Sequence, residues 1–194
     1  MISGQSGRYD LSAASAGRLI RFHGSDESGQ WLVNDVISVA GTTIDTVKFV
    51  RVGEQEGAAR DRWTLSAFVS NLRYTTSEER RALQDRQSSL SRSGNRCAVL
   101  IPIRKSAAWW MLAQDERRAI YARSNHTPIG LDYLPAIARQ LHHCRDIGEP
   151  FDFLTWFEFA EGDTERFSEL LKRLRDTEEW TYVDREVEVW LTAA

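Results

Sequence analysis

Two residues of this chain, His126 and Arg139, have side chains that could act together on one small molecule. A neutral imidazole is a common metal ligand, and a guanidinium is a permanent cation that can hold an oxyanion. The two residues lie thirteen positions apart, within Ser-Asn-His-Thr and Ala-Ile-Ala-Arg-Gln. Taken alone, each has an ordinary explanation, because a single histidine in a loop and a single arginine on a strand usually face solvent.

The neighbouring histidines His142 and His143 are more conspicuous but chemically less useful. Adjacent residues of a strand point to opposite faces, so they cannot easily bind one metal ion together. We interpret both as ordinary strand positions. Cys97 and Cys144 lack CxxC spacing, so the sequence indicates two reduced thiols and neither a disulfide scaffold nor a structural zinc site.

The composition is typical of a globular protein with one domain or two small subdomains. Of the 194 residues, 42% are hydrophobic and 27% are charged, and no run of about 18 apolar residues suggests a membrane span. The net charge of -3 argues against a general binder of nucleic acid or anionic membranes. The polar start lacks a secretory signal pattern, so we predict a cytoplasmic protein whose first ~12–15 residues are disordered.

The amino-terminal half predicts short strands and one helix. Aliphatic and aromatic runs at 18–22, 31–39 and 63–72 are separated by charged or glycine-rich segments such as 53–61. Residues 75–79 then supply a capping-box-like start for a polar helix that continues to Leu90.

The carboxy-terminal half alternates between strand and helix patterns. Its apolar periodicity predicts strands at 97–103, 151–160 and 182–191 and helices at 107–123 and 163–176.

The segment from Leu131 to Cys144 fits either period. We interpret it as a strand, because Pro135 would be tolerated only in a first helical turn and 146–150 is a natural turn into the next strand. The order β-α-β-β-α-β over residues 97–191 is that of a ferredoxin-like module.

Six short stretches form one combined pattern that is specific although each stretch alone is weak. They are SNLRY (70–74), IPIRKSAAWW (101–110), DERR (115–118), HT (126–127), FDF (151–153) and WFE (156–158). Together they resemble the short, cytoplasmic branch of the haem-dependent chlorite dismutases, over somewhat more than half of the chain. The resemblance implies an α+β fold: a ferredoxin-like α+β barrel of two related halves, 1–95 and 96–194, with the amino-terminal half shortened and one haem b in the second half.

The resemblance also implies roles for residues on both sides of the haem iron. His126 matches the proximal iron ligand, and Arg139 matches the distal arginine that would hold an oxyanion. Glu179 falls where the family places a carboxylate that accepts the other N–H of the ligand histidine, with Glu178 as the alternative by one residue.

Further matches lie around the edge of the haem. Lys105, Asn71 and Tyr74 match positions that approach the propionates, where a cation and hydrogen-bond donors would offset buried carboxylate charge. Trp109 resembles the family's haem-side tryptophan. We interpret Trp110 as a plain core or interface residue.

Two positions separate the possible reactions. The related coproheme decarboxylases carry a reactive tyrosine where this chain has Ile101, and typically a glutamine where it has Arg139. The resemblance therefore implies decomposition of chlorite to chloride and dioxygen, with the O–O bond formed at ferric haem and Arg139 keeping hypochlorite from escaping. A haem peroxidase and a non-catalytic haem-binding or sensing protein stay open as alternatives. The branch is typically dimeric, so we expect a homodimer.

Overall fold

A closed barrel of antiparallel strands forms the framework of the protein. The computed structural model describes residues 9–11, 14, 16–70 and 75–194. Within these residues, eight strands follow one another around the barrel in the order β1-β3-β2-β8-β5-β7-β6-β4. The strands are β1 (Leu19–Ser25), β2 (Trp31–Ala40), β3 (Phe49–Gly53), β4 (Trp63–Val69), β5 (Cys97–Lys105), β6 (Ala138–His143), β7 (Phe153–Phe159) and β8 (Val183–Ala193). The helices are α1 (Ser77–Arg86), α2 (Ala107–Met111), α3 (Gln114–Arg123), α4 (His126–Asp132) and α5 (Thr164–Arg175).

Each half of the barrel has the same strand order. The first four strands lie in the order β4-β1-β3-β2, and the last four lie in the order β8-β5-β7-β6. Both orders place the fourth strand beside the first and the third strand beside the second, which is the arrangement of a ferredoxin-like module. The prediction of a ferredoxin-like α+β barrel is confirmed. The boundary between residues 95 and 96 stays a prediction that the repeated order supports.

Alternating side chains on the strands separate two hydrophobic cores. On β5, Leu100 points into the barrel, whereas Ile101 points outwards to a layer of helices. Helix α5 covers that outer layer with four buried side chains. Their helical spacing in the sequence is typical of an amphipathic helix. They are Phe167, Leu170, Leu171 and Leu174. The second half of the chain therefore has an interior between sheet and helices in which a ligand can be enclosed.

Several sequence predictions agree with the structure within a few residues. The capping box of α1 is confirmed: Thr76 accepts the Glu79 N–H at 3.2 Å and Glu79 accepts the Thr76 N–H at 2.6 Å. The helix ends at Arg86 and not near Leu90. The strand predicted over 63–72 ends at Val69, and its last two residues lie outside the described part of the chain. The disorder predicted for the amino terminus also falls largely outside it.

Other element predictions are wrong. Strand β3 was not predicted, because its five residues include the charged Arg51 and end at a glycine. The helix predicted over 107–123 is two helices, separated at 112–113. The segment predicted as a strand from Leu131 begins inside α4, which tolerates Pro128 because this residue lies in the first turn. The strand proper starts at Ala138.

Candidate functional site

A cavity of about 360 Å³ lies in the outer layer of the second half, between the sheet and the helices. Its volume falls in the range of ligand and cofactor sites, roughly 300–1,000 Å³. The structure brings together in its lining all the predicted site residues that it describes. These are His126, Arg139, Lys105, Trp109 and Glu179. Asn71 and Tyr74 lie outside the described residues.

A tight turn between two helices aims His126 at the cavity. Helix α3 ends at Arg123, and Asn125 adopts φ 49° and ψ 33°, which is the left-handed conformation. Asparagine tolerates this conformation better than most residues. Helix α4 therefore starts in a new direction with His126 as its first residue. The sequence did not predict this helix, so the position of His126 at its start was missed.

Glu179 is the carboxylate partner of His126. Its Oε2 lies 2.8 Å from His126 Nδ1, and its side chain is buried. Glu178, the alternative left by the sequence, instead forms an ion pair with Arg123 at 2.9 Å on the surface. When Nδ1 donates to a carboxylate, the ring is fixed in orientation and Nε2 is the nitrogen that can bind a metal.

Lys105 shares the Glu179 carboxylate with His126. Lys105 Nζ donates to Glu179 Oε1 at 3.1 Å and lies 4.8 Å from the Trp109 ring and 5.2 Å from the Trp180 ring. Burial raises the pKa of Glu179, but the charges and hydrogen bonds of His126 and Lys105 outweigh it and lower this pKa from 4.5 to about 2. The carboxylate is therefore ionised. The propionate role of Lys105 stays a prediction, and the structure gives its ammonium another partner.

Two aromatic rings that the sequence analysis missed enclose His126. Tyr121 stacks on the imidazole with ring centroids 4.5 Å apart, and Trp180 lies 6.3 Å away and nearly parallel. The Ser124 hydroxyl accepts the Glu179 N–H at 3.1 Å. Tyr121 fits a core pattern as well as a site pattern, so no spacing signal distinguished it. The adjacency of Trp180 to Glu179 was an available signal.

Strand β6 supplies another part of the cavity lining. Arg139, Leu141 and His143 line the cavity, while the intervening His142 faces the barrel core and is fully buried. The two adjacent histidines thus face opposite sides, as predicted. His143 is nevertheless part of the cavity, which corrects its interpretation as an ordinary strand position. In the described part of the chain, no carboxylate lies within ion-pair distance of Arg139.

Trp110 also differs from its interpretation as a plain core or interface residue. Its ring lines the cavity, and its Nε1 donates to Asp152 Oδ2 at 3.2 Å. The same carboxylate oxygen accepts the Lys105 backbone N–H at 2.7 Å. Burial raises the pKa of Asp152, and these two hydrogen bonds oppose that shift. Asp152 therefore fixes the tryptophan against the end of β5.

The barrel and this cavity define an α+β protein with one cavity that is lined by a histidine–carboxylate pair and an arginine. The family model of the chlorite dismutases matches residues 40–193. The chain therefore belongs to the chlorite dismutase family, whose members depend on haem.

Known proteins agree with this assignment. The chain is similar to a dimeric chlorite dismutase from Nitrobacter winogradskyi, with 48% identity and a TM-score of 0.85 over 90% of this chain and 99% of that one. A mutant chlorite dismutase from Candidatus Nitrospira defluvii in complex with cyanide, 19% identical with a TM-score of 0.68 over 94% and 93% of the two chains, shows likeness of fold alone. A chlorite dismutase from Ideonella dechloratans is 28% identical over 121 residues, which are 61% of this chain and 41% of that protein. The match thus spans less than half the length of this curated relative.

Proposed function

We propose that this protein is a haem b enzyme that decomposes chlorite to chloride and dioxygen. The observation that carries the proposal is that His126 and Arg139 line one cavity, with His126 already hydrogen-bonded to Glu179 through Nδ1. We further propose that the protein is a cytoplasmic homodimer. Its relative from Nitrobacter winogradskyi is dimeric.

The residues of the cavity fit a haem. One imidazole nitrogen is held by a buried carboxylate and the other is the ligand atom, which is the usual arrangement of a metal-binding histidine. The walls are largely apolar and partly aromatic, as a porphyrin requires. Ile101, Leu134, Ile137, Leu141 and Phe157 belong to them. When bound, haem would supply a ferric iron that exchanges an oxygen atom with chlorite.

The reaction is balanced without another reactant. Chlorite contains one chlorine, two oxygens and one negative charge, and so do chloride and dioxygen together. Both Cl–O bonds break and one O–O bond forms, while chlorine is reduced and oxygen is oxidised. No proton is gained or lost, so the cavity needs a group that holds anions and not a group that donates protons.

Arg139 provides such a group. A guanidinium stays charged throughout the useful pH range and offers several N–H donors to an oxyanion. Arg139 has no ion-pair partner among the described residues, so its charge is available to a ligand. The apolar residues around it exclude water and so strengthen the attraction. Arg139 would retain the chlorine-containing fragment until the O–O bond is complete.

The two related reactions have weaker support. Ile101 is buried in the cavity lining and has no hydroxyl group that could take part in decarboxylation. A peroxidase needs an acid–base group close to the bound peroxide. His143 is in the cavity, but it lies four positions along β6 from Arg139, so the two backbone positions are about 13 Å apart at 3.3 Å per residue. His143 is therefore not adjacent to Arg139 on the strand.

Oxygen release tests the proposal. The haem-loaded protein should release one dioxygen per chlorite, as measured with an oxygen electrode. Arg139→Ala should keep its haem, lose most of its turnover and bleach faster, whereas His126→Ala should lose the ordinary Soret band. Dye oxidation with hydrogen peroxide and incubation with coproheme test the alternatives in parallel. Unchanged oxygen release by Arg139→Ala would contradict the role of the arginine.

A further inference from the structure

Two arginines at one end of the cavity have no role in the proposed reaction. Arg117 on α3 and Arg145, in the short 3₁₀ turn that follows β6, both belong to the lining. The guanidinium carbon of Arg145 lies 4.0 Å from the centroid of the Trp110 ring, and that of Arg117 lies 5.5 Å from it. We call these two residues the arginine pair. Two cations on one ring create a local positive charge in a protein whose net charge is -3.

The surroundings of Trp110 hold Arg145 in place. The Trp110 ring is stacked on Phe153 with centroids 6.1 Å apart, and its Nε1 is bonded to Asp152. Asp152 Oδ1 also lies 3.8 Å from Arg145 Nε, and Asp146 Oδ1 lies 3.4 Å from Arg145 Nη1. Asp146 is exposed, so that pair is screened by water. Arg145 is thus oriented but only partly neutralised.

Arg117 is half-buried, and one nitrogen of its guanidinium is not satisfied by any described group. Its Nε is buried and has no hydrogen-bond partner among the described residues, and no ion pair in that part of the chain includes it. A buried donor without a partner is costly. A group that stays bound in the folded protein would remove this cost, whereas an anion that only passes through would not. The arginine pair therefore indicates a resident anion.

The position of Arg145 just after β6 indicates the shape of the ligand. Arg139 and His143 both line the cavity, with their backbone positions about 13 Å apart, and Arg145 lies two residues beyond His143. The cavity thus has a single cation at one place on its wall and two cations farther along. Such an arrangement suits an extended molecule with its reactive centre near Arg139 and its negative charges at one edge.

We propose that Arg117 and Arg145 bind the two propionate carboxylates of the haem. This inference rests on the proposed function, because it assumes that the cavity holds a haem. Lys105 is the other cation that was predicted to bind a propionate, but its ammonium forms an ion pair with Glu179. The two guanidinium groups of the arginine pair have no comparably close buried carboxylate among the described residues. Guanidinium groups bind carboxylates with two parallel hydrogen bonds, which fixes the orientation of the porphyrin as well as its affinity.

Esterified haem provides a direct test. The full-length chain is loaded with haem b or with its dimethyl ester, and transfer of the porphyrin to excess apomyoglobin is followed by the Soret band. The unmutated protein should release the ester faster than the acid by roughly tenfold to hundredfold, as expected for losing charged hydrogen bonds. Arg117→Gln and Arg145→Gln should release haem faster and should distinguish less between acid and ester. Arg117→Lys and Arg145→Lys should keep part of the difference.

Arg166→Gln is the control, since this exposed arginine on α5 carries the same charge but does not line the cavity. It should behave like the unmutated protein. Equal release of acid and ester by the unmutated protein would overturn the inference while leaving the chlorite reaction in place. If the variants changed only the salt dependence of chlorite turnover, the arginine pair would serve the entering substrate, and the inference would also be wrong. Failure of the unmutated protein to bind haem at all would contradict the proposed function itself.

Discussion

The carboxylate of Glu179 is the most constrained group in the site, because each of its oxygens has its own cationic or donor partner. One oxygen accepts from His126 and the other accepts from Lys105. The backbone of the same residue is held by Ser124. An ionised carboxylate behind the ligand histidine makes the imidazole a stronger electron donor to iron. In the proposed haem complex, Glu179 would therefore influence the iron without touching it.

Replacement of Glu179 by glutamine should separate its charge from its shape. Glu179→Gln should still bind haem, but its turnover should fall about 10- to 100-fold, as is typical for residues that support a metal ligand. The iron potential should become more positive, because the neutral amide donates less electron density through His126. Potentiometry and oxygen release measure the two effects. Glu178→Gln is a matched control, since it removes the same charge from the exposed neighbour. If both variants had the same potential, the role of Glu179 would be refuted.

At this scale the sequence predicted the residues better than their contacts. His126, Arg139, Lys105, Trp109 and Glu179 all line the cavity. The bond between Lys105 and Glu179 joins residues 74 positions apart, so it depends on tertiary structure that no local pattern contains. The contact between Tyr121 and the histidine ring was not predicted either, because Tyr121 fits the apolar pattern of a core residue. The family resemblance gave the contact between His126 and Glu179, but the contact between Lys105 and Glu179 was not predicted.

Among the elements, the turn between α3 and α4 has the largest effect on the site. It reverses direction at Asn125, whose positive φ lets α4 begin with His126. Helix α4 was not predicted, because a seven-residue helix that contains proline and glycine has a weak period. Helix α5 and strand β7 were predicted, because their apolar patterns are long and regular. Pattern strength therefore decided which elements could be predicted.

Substitution of Asn125 tests this turn. Asn125→Val should destabilise the protein by about 1–3 kcal/mol, because a β-branched residue is strained in the left-handed conformation. It should also weaken haem binding, since the strain is relieved by moving His126. Asn125→Gly adopts the same backbone freely and should keep both properties. Urea unfolding and haem titration measure the outcome. Equal stability of the two variants would show that the backbone at Asn125 is not the determinant.

For the whole molecule, the barrel core contains an unusual member in His142. It is fully buried, its ring lies 5.4 Å from that of Phe22, and its Nδ1 is 3.0 Å from the Leu154 carbonyl oxygen. Burial lowers the pKa of His142 from 6.5 to about 4. The folded protein therefore keeps this imidazole neutral at pH values where the unfolded chain would protonate it.

This difference predicts the acid sensitivity of the fold. The stabilisation is complete above pH 6.5 and is lost as the pH falls towards 4, because the unfolded state binds one more proton in that window. The total loss should be roughly 3 kcal/mol. Urea unfolding as a function of pH measures it. His142→Gln should remove this contribution, whereas His143→Gln, on the opposite face of β6, should retain it. An unchanged slope in His142→Gln would assign the acid sensitivity to other groups.

The proposed homodimer is tested by mass. A single chain has a mass of 22.2 kDa, so light scattering of the purified protein should give twice this value. Dilution below the dissociation constant should return the mass of one chain. A constant mass of one chain at all concentrations would contradict the proposal.

In the described part of the chain, no helix is long and apolar enough to cross a membrane.

The place of β8 in the barrel has a consequence for how the protein is made. This strand lies between β2 and β5 and joins the two halves, yet it is the last strand in sequence. Glu179 comes just before it. On the ribosome, both barrel closure and the support of His126 must therefore wait until residues 179–193 have emerged. Haem insertion should accordingly follow synthesis, and nascent chains stalled before β8 should fail to retain the cofactor.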